Sequence, residues 1–271
     1  MRRCVLAGVV VLCTASASFA YRPFDGTDAA VAERGVLEVE LGPAGLLRLG
    51  PDRFLVAPAL IANLGFADRW ELVLEGRQHL LLGSAPPDEP RSRLVDTAVS
   101  VKSVLREGAL QDRRGPSVAA EVGVLLPTVN DEPGIGAQAA GIVSQRFGPV
   151  TAHFNAAAAL ARAKRLDLIG SVILEGPWSW SVRPVFEVFS QLEGAERATF
   201  SALAGLIWPW SDSLAFDAAL RVGRASGQPL LEARLGLTFS LDLLGAARAA
   251  AGTSAAPPRR LARLRPSPDR R

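Results

Sequence analysis

Residues 116–127 read Pro-Ser-Val-Ala-Ala-Glu-Val-Gly-Val-Leu-Leu-Pro, and every even-numbered position from Val118 to Leu126 is apolar. Ser117 and Glu121 lie between them, so an extended strand here has one apolar and one polar face. The same two-residue period recurs along 36–243, in segments of about nine to eleven residues, the length of a membrane-spanning β-strand. The pattern predicts a transmembrane β-barrel whose apolar face meets lipid and whose polar face lines a lumen.

The alternation predicts about twelve antiparallel strands in an up-and-down barrel, an even number as this class of barrel requires. The predicted strands are 36–48, 53–64, 70–82, 94–106, 116–127, 136–147, 150–161, 167–176, 180–191, 199–208, 214–223 and 231–243, with Gly42-Pro43 interrupting the first.

The predicted connections alternate in length, as expected for outer-membrane barrels with short turns on one rim and longer loops on the other. Short turns are predicted near 65–69, 148–149, 177–179 and 209–213, and longer loops near 83–93, 128–135, 192–198 and 224–230. The connection at 107–115 is long for the short-turn rim.

The five tryptophans all lie beside predicted short turns, which predicts an aromatic girdle at one membrane interface. They are Trp70, Trp178, Trp180, Trp208 and Trp210. The alternative fold is a secreted β-sandwich with the apolar stripe packed into a core. The barrel is favoured because one face of almost every strand stays apolar while the other carries paired opposite charges.

The first twenty residues have the features of a cleaved signal peptide. Arg2 and Arg3 precede a ten-residue apolar core from Cys4 to Cys13, and Ser18-Phe19-Ala20 fits cleavage before Tyr21. The apolar run is too short for a membrane anchor, and Leu12 before Cys13 argues against lipid attachment. We therefore expect export to the cell outer membrane of a Gram-negative bacterium, with help from the barrel-assembly machinery.

The charge of the chain is uneven. Residues 21–245 hold 21 basic and 26 acidic residues, whereas 246–271 hold seven arginines and a single aspartate. The tail is rich in Ala, Pro, Arg and Ser, which predicts disorder, with contact to anionic lipid, lipopolysaccharide or cell-wall polymers as the alternative. Nucleic-acid binding is not predicted, because the body lacks a basic surface with aromatic platforms.

Thirteen charged residues are predicted to point into the lumen by strand parity. They are Glu71, Glu75, Arg77, Asp96, Lys102, Glu121, Arg146, Glu175, Arg183, Glu187, Arg221, Glu232 and Arg234. Such a set can select solutes, as charged rings do in pores, or can fill and stiffen a narrow barrel. Residues 21–34 are expected to fold into the lumen as a plug, with Arg22, Asp25 and Asp28 pairing with the wall.

Little in the sequence predicts catalysis. His79 and His153 are the only histidines, and no metal site or cofactor is predicted. His153 shares a strand face with Asn155, so a hydrolase using Ser144 or Ser171 on a neighbouring strand remains a minor alternative. We therefore expect a protein that is not an enzyme.

Several short stretches resemble one bacterial outer-membrane family, named for the meta pathway of phenol degradation and often labelled transporter-like. They include Tyr-Arg-Pro-Phe-Asp-Gly-Thr-Asp-Ala at 21–29, Asn-Leu-Gly-Phe-Ala-Asp-Arg-Trp-Glu-Leu at 63–72 and Arg-Pro-Val-Phe-Glu at 183–187, and the resemblance covers most of 21–245. It implies a single outer-membrane barrel, while the family's link to phenolic compounds fixes no substrate and leaves small aromatic or hydrophobic solutes as candidates. Unlike the usual barrel ending, Phe239 is followed by Leu-rich residues and the tail.

The function expected from the sequence is an outer-membrane channel or transporter for a small solute, with outer-membrane lipid and lipopolysaccharide as its surroundings. The alternative is a non-conducting structural or assembly barrel, and the third hypothesis is the hydrolase described above. Conductance distinguishes the first two.

Overall fold

The computed structural model describes residues 22–83, 90–194 and 197–245, so the predicted signal peptide (1–20) and basic tail (246–271) lie outside the described residues. In the described part, twelve antiparallel strands form a closed barrel in which each strand pairs with its neighbours in sequence and β1 pairs with β12. The predicted barrel is confirmed. The alternative β-sandwich is wrong, because the described strands form a single sheet that closes on itself and does not divide into two layers.

The strands follow the predicted alternation closely. They are β1 Val36–Leu49, β2 Asp52–Ala67, β3 Trp70–Leu81, β4 Ser92–Arg106, β5 Ser117–Leu125, β6 Gly136–Phe147, β7 Val150–Leu160, β8 Leu166–Glu175, β9 Arg183–Glu193, β10 Arg197–Pro209, β11 Leu214–Ala225 and β12 Gln228–Asp242. A single 3-10 turn, Ala109–Gln111, lies between β4 and β5.

The two faces of the barrel wall differ as the alternation requires. On β10, Phe200 and Leu206 face outward and are 61% and 51% exposed, whereas Leu203 and Ile207 on the alternate positions are buried. Leu220 on β11 and Leu235 on β12 also expose most of their surface outward. These outward-facing apolar side chains form a belt around the barrel. Exposing the belt to water would cost free energy, so the outer face is suited to lipid. No helix among the described residues is long and apolar enough to cross a membrane.

The wall is irregular where β1, β2 and β3 meet. The β1–β12 register shifts between Leu41 and Ala44, at the predicted Gly42-Pro43 interruption, and the β2–β3 register shifts between Val56 and Ala59. Proline donates no ladder hydrogen bond, so Pro43 breaks the regular pairing at this level.

The terminal rim is the end of the barrel where β1 begins and β12 ends; its connections are 68–69, 107–116, 148–149, 176–182 and 210–213. The opposite end, the loop rim, has connections 50–51, 82–91, 126–135, 161–165, 194–196 and 226–227. The predicted sorting of connections between rims agrees with the structure.

Three connections differ from prediction. The longer loop expected near 224–230 is a tight hairpin, because Ser226 and Gly227 both have positive φ (50° and 80°) and form a two-residue turn suited to strand twist. The connection expected near 192–198 is also shorter than predicted, since Glu193 of β9 pairs directly with Arg197 of β10. The ninth strand begins at Arg183 instead of 180, because the preceding turn is longer and Trp180 donates its N–H to the Pro177 carbonyl.

The long connection at 107–116 folds inward across the terminal rim. The Gln111 side chain donates to the carbonyl of Ala29, 3.1 Å away, and the Ser117 hydroxyl donates to the Gln111 side-chain oxygen at 2.7 Å. Its length, unusual for this rim, therefore provides a contact with the chain segment that precedes β1.

Candidate functional site

The site is the barrel lumen together with residues 22–34, called here the N-terminal segment. This segment has no regular secondary structure, so its buried N–H groups need acceptors from elsewhere. Six of them donate to wall side chains: Arg22 to Glu40 (3.0 Å), Asp25 and Gly26 to Glu187 (both 2.8 Å), Thr27 to Asn155 (3.1 Å), Ala29 to Ser144 (2.9 Å) and Ala32 to Glu71 (2.7 Å). These acceptors lie on β1, β3, β6, β7 and β9, so the segment contacts much of the wall's circumference.

Asp25 lies in a buried charge cluster with two wall arginines. Its carboxylate is 2.9 Å from the Arg234 guanidinium and 3.2 Å from that of Arg221. Both arginines also pair with Glu232, at 2.7 Å and 3.5 Å. Arg234 further donates to the Pro23 carbonyl at 2.6 Å. The cluster holds two cations against two anions and joins the segment to β11 and β12.

A second charged contact lies on the opposite wall. Lys102 of β4 is fully buried, with its ammonium 3.3 Å from Glu71 and 4.0 Å from Asp28 of the segment. The same ammonium donates to the Thr27 hydroxyl at 3.2 Å. Since Glu71 also accepts the Ala32 N–H, this pair of wall residues contacts the segment at three positions.

The segment also carries two apolar anchors. Phe24 packs into an inward-facing cluster on the wall formed by Ile173, Val185, Leu203, Ile207, Ala215 and Ala219. Ala29 is fully buried against Ala119 and Ile142, with Leu110 of the 107–116 connection packed beside it. The lumen at this level therefore has apolar as well as charged contacts with the segment.

Gly26 lies against the wall side chains Ser171 and Asn155. A Cβ atom at this position would collide with the Ser171 hydroxyl and lie 3.0 Å from the Asn155 side-chain nitrogen. Only glycine fits without moving those side chains.

The start of the segment borders a small cavity that faces the loop rim. Arg22 pairs with Asp217 at 3.7 Å, and Arg22, Pro23 and Phe24 form one side of a cavity of about 50 Å³. Glu75, Arg77 and Asp96 line the other side, together with wall residues of β1, β2 and β12. Arg77 and Asp96 are paired at 2.9 Å. This charged cavity lies on the loop-rim side of the segment.

Ser144, His153 and Glu175 form a chain of polar contacts on β6, β7 and β8. Ser144 Oγ is 2.8 Å from His153 Nδ1, and His153 Nε2 is 3.6 Å from Glu175. The order of groups is that of a hydrolase triad. However, Ser144 and His153 are 0% and 1% exposed, and Ser144 Oγ accepts the Ala29 N–H. With the segment in place, this arrangement binds Ala29 and leaves a substrate no access to the hydroxyl.

Most of the predicted lumen residues lie on the inner wall, with unequal roles. Glu71, Lys102, Glu187, Arg221 and Arg234 contact the segment, and Glu232 contacts it through the two arginines. Glu75, Arg77 and Asp96 line the cavity. Glu121 lies opposite Lys102 in the sheet, and Arg183 pairs with Glu175 at 3.5 Å.

Arg146 does not join this cluster. It is exposed at the terminal rim and pairs with Asp112 at 3.7 Å, because β6 reaches the rim one residue beyond it. Besides the uncharged acceptors Asn155 and Ser144, two charged residues outside the predicted set contact the segment: Glu40 and Asp217 both contact Arg22. Strand parity places both on the inner face, since Glu40 lies two positions after Glu38 and Asp217 four positions before Arg221.

Four of the five tryptophans are exposed near the terminal rim, but Trp178 differs. Its indole N–H donates to the buried Thr151 hydroxyl at 3.0 Å, and the Arg183 guanidinium stacks 3.7 Å from its ring. Trp178 therefore folds back over inward-facing residues instead of joining the predicted outer girdle. Trp208 and Trp210 contact each other edge to face, with ring centroids 4.9 Å apart.

No protein-family model matches the chain, and a comparison with curated proteins finds no match. Among solved structures, the chain is similar to the COG4313 outer membrane channel from Pseudomonas putida F1, with a TM-score of 0.61 and 8% identity over 80% of this chain and 100% of that chain. It is also similar to the KdgM porin, with a TM-score of 0.50 and 11% identity over 75% of this chain and 99% of that chain. The chain therefore has the fold of an outer-membrane β-barrel.

Proposed function

We propose that the protein is a bacterial outer-membrane channel for a small solute and that the N-terminal segment holds it closed. The main observation in support of this proposal is that wall side chains accept hydrogen bonds from six backbone N–H groups of the segment. Those acceptors face the lumen, where a barrel without a segment would present them to water. The segment is therefore bound through specific polar contacts.

The chemistry of the contacts supports a removable closure. Each N–H that leaves the wall finds water in an opened lumen, and each wall carboxylate is solvated there. The net free energy of such an exchange is about 1 kcal/mol per hydrogen bond, far less than the bond in isolation. Together with two apolar anchors, these contacts favour the closed form without making it permanent. The structurally similar proteins are an outer membrane channel and a porin, which supports the same function here.

The cavity on the loop-rim side supports the entry of a solute from that side. Glu75, Arg77 and Asp96 present both charge signs to it. When the segment leaves, Asn155, Ser171 and Glu187 become available on the wall as hydrogen-bonding groups. This lining favours a small solute with polar groups, and the aromatic or hydrophobic part of the expected solute class stays a prediction from the family resemblance.

The alternative is a non-conducting barrel that serves a structural or assembly role. The observation in its favour is the small cavity, about 50 Å³ in volume, since buried ion pairs and the segment occupy the lumen below it. On this alternative the lumen charges stiffen the barrel, and its rims are the working surfaces.

Single-channel recording distinguishes the two. The mature chain, a variant lacking residues 22–32, and a control lacking residues 248–271 are refolded in detergent and reconstituted into planar bilayers. We expect rare openings for the mature chain and the control, and steady conductance for the variant without the segment, which small aromatic acids block. Heat-modifiable migration on gels shows that each barrel is folded. A folded but silent variant would exclude the channel and favour the structural barrel.

A further inference from the structure

Three arginines on the neighbouring strands β11, β1 and β2, with β12 between the first two, lie on the lipid-facing side of the wall at the loop rim. Arg48 of β1 is directly opposite Arg53 of β2 and, on its other side, Leu231 of β12. Arg224 of β11 is opposite Phe200 of β10. Residues directly opposite in a sheet share a face. Leu231 and Phe200 are 47% and 61% exposed on the outer face, so the arginines share it.

The arrangement of these arginines is unfavourable without an anion. Like charges directly opposite each other destabilise a sheet, yet Arg48 faces Arg53. Arg48 donates to the Gly50 carbonyl at 3.2 Å and Arg224 to the Gly227 carbonyl at 3.2 Å, which holds both side chains at the rim. Across residues 22–83, 90–194 and 197–245, no carboxylate forms an ion pair with any of the three.

The opposite rim shows a different pattern. Arg69 and Arg113 both pair with Glu107, at 3.0 Å and 3.9 Å, and Arg146 pairs with Asp112. These three arginines of the terminal rim thus have a carboxylate of the protein within ion-pair distance. Among the described residues, Arg48, Arg53 and Arg224 have none, so their charge is available to an external anion.

The level of the cluster identifies that group. Leu46 and Val222 lie immediately below it on the same outer face, at the top of the apolar belt. Arginines at this boundary meet the phosphates of lipid headgroups, which the planar guanidinium binds through paired hydrogen bonds. In an outer-membrane barrel the longer loops face outward, where the outer leaflet lies.

We propose that Arg48, Arg53 and Arg224 bind the phosphate groups of lipopolysaccharide. The inference rests on the outer-membrane location proposed above and is independent of whether the barrel conducts. The hydrogen bonds from Arg48 and Arg224 to backbone carbonyls orient these two guanidinium groups before the lipid binds. Less side-chain entropy is therefore lost on binding.

The test uses the mature chain refolded in detergent and labelled lipopolysaccharide as the probe. A triple variant Arg48→Gln, Arg53→Gln, Arg224→Gln is compared with a control, Arg69→Gln, Arg113→Gln, Arg146→Gln, that loses the same charge from the terminal rim. We expect the affinity for lipopolysaccharide to fall at least about tenfold in the first variant and to stay within about twofold in the control. Enzymatically dephosphorylated lipopolysaccharide should bind the unchanged protein as weakly as the intact lipid binds the first variant.

Two results overturn the proposal. One is equal affinity of the unchanged protein and the first variant, with both barrels shown to be folded by heat-modifiable migration. The other is equal competition by phosphatidylglycerol or inorganic phosphate, which would make the cluster a general anion patch. Because conductance is measured separately, a silent barrel that binds lipopolysaccharide contradicts only the channel, and a conducting barrel that does not bind it contradicts only this site.

Discussion

Asp25 of the N-terminal segment forms an ion pair with Arg234 of β12, with the two charged groups 2.9 Å apart and both side chains about nine-tenths buried. The residues are 209 positions apart in the chain. Arg234 and Arg221 both also pair with Glu232, so without Asp25 two wall cations share a single anion. The Asp25 carboxylate therefore binds the segment to the wall and balances the charge of the cluster.

We expect Asp25→Asn to weaken docking of the segment by about 3 kcal/mol, the lower end for breaking a buried ion pair, and so to increase the open fraction about a hundredfold. Open probability in planar bilayers measures the effect. The control is Asp52→Asn, at the exposed loop rim, which should leave open probability unchanged. Unchanged gating in both variants would show that the Asp25–Arg234 pair does not hold the segment.

Glu187 provides a second test because a single carboxylate accepts two N–H groups of the segment, both at 2.8 Å. We expect Glu187→Ala to weaken docking by about 2–4 kcal/mol, since two buried donors lose their acceptor. Hydrogen exchange at Asp25 and Gly26 should become faster in this variant. Glu193→Ala, on the same strand but paired with Arg165 at the loop rim, is the matched control and should leave that exchange unaltered.

The close approach at Gly26 predicts a steric effect with a specific rescue. Gly26→Ala places a Cβ against the Ser171 hydroxyl, so we expect the segment to undock and conductance to rise. Ser171→Gly removes that hydroxyl, and the double variant should conduct less than Gly26→Ala alone. Conductance that is the same in the single and double variants would mean that the clash with Ser171 is not the cause.

Phe24 tests the apolar part of the closure. Phe24→Ala empties its place among the inward-facing residues of β8 to β11, and we expect a loss of about 3 kcal/mol of docking free energy. Protease cleavage within residues 22–34 should increase while heat-modifiable migration of the barrel stays the same. Phe154→Ala removes an aromatic side chain from the lipid-facing side, where it is 44% exposed, and should leave cleavage of the segment unchanged.

The barrel could be predicted from the sequence because alternate residues of each strand face lipid and lumen, and so alternate between apolar and polar. Strand parity identified the inward face of Glu187, Arg221 and Arg234 without any knowledge of their partners. Strand parity also places Glu40 and Asp217 on the inner face. Their role in the site depends on their contacts with Arg22, a residue outside the strands. Parity gives the face of a residue but not which residues meet across a lumen.

The deviations have local causes that a two-residue period does not represent. Trp178 lies in a turn, where side-chain direction follows the backbone and not the pleat, so it could fold over Arg183. Ser226 adopts a left-handed conformation that serine rarely adopts. The sequence therefore carries no signal of a two-residue hairpin, and a longer loop is predicted there. Arg146 has the inward parity but lies at the rim, beyond the reach of the segment.

Ser144 distinguishes a binding role from a catalytic one. The hydroxyl accepts the Ala29 N–H at 2.9 Å and lies 2.8 Å from His153, which in turn is 3.6 Å from Glu175. It is fully buried with the segment in place, so it binds the segment and is not exposed as a nucleophile. We expect the mature chain to hydrolyse neither phospholipid nor a p-nitrophenyl ester, and Ser144→Ala to weaken docking by about 1–3 kcal/mol because a buried donor loses its acceptor. The variant should therefore open more often in planar bilayers. Ester hydrolysis by the mature chain that disappears in both Ser144→Ala and His153→Ala would reverse this conclusion and make the polar chain on β6 to β8 an active site.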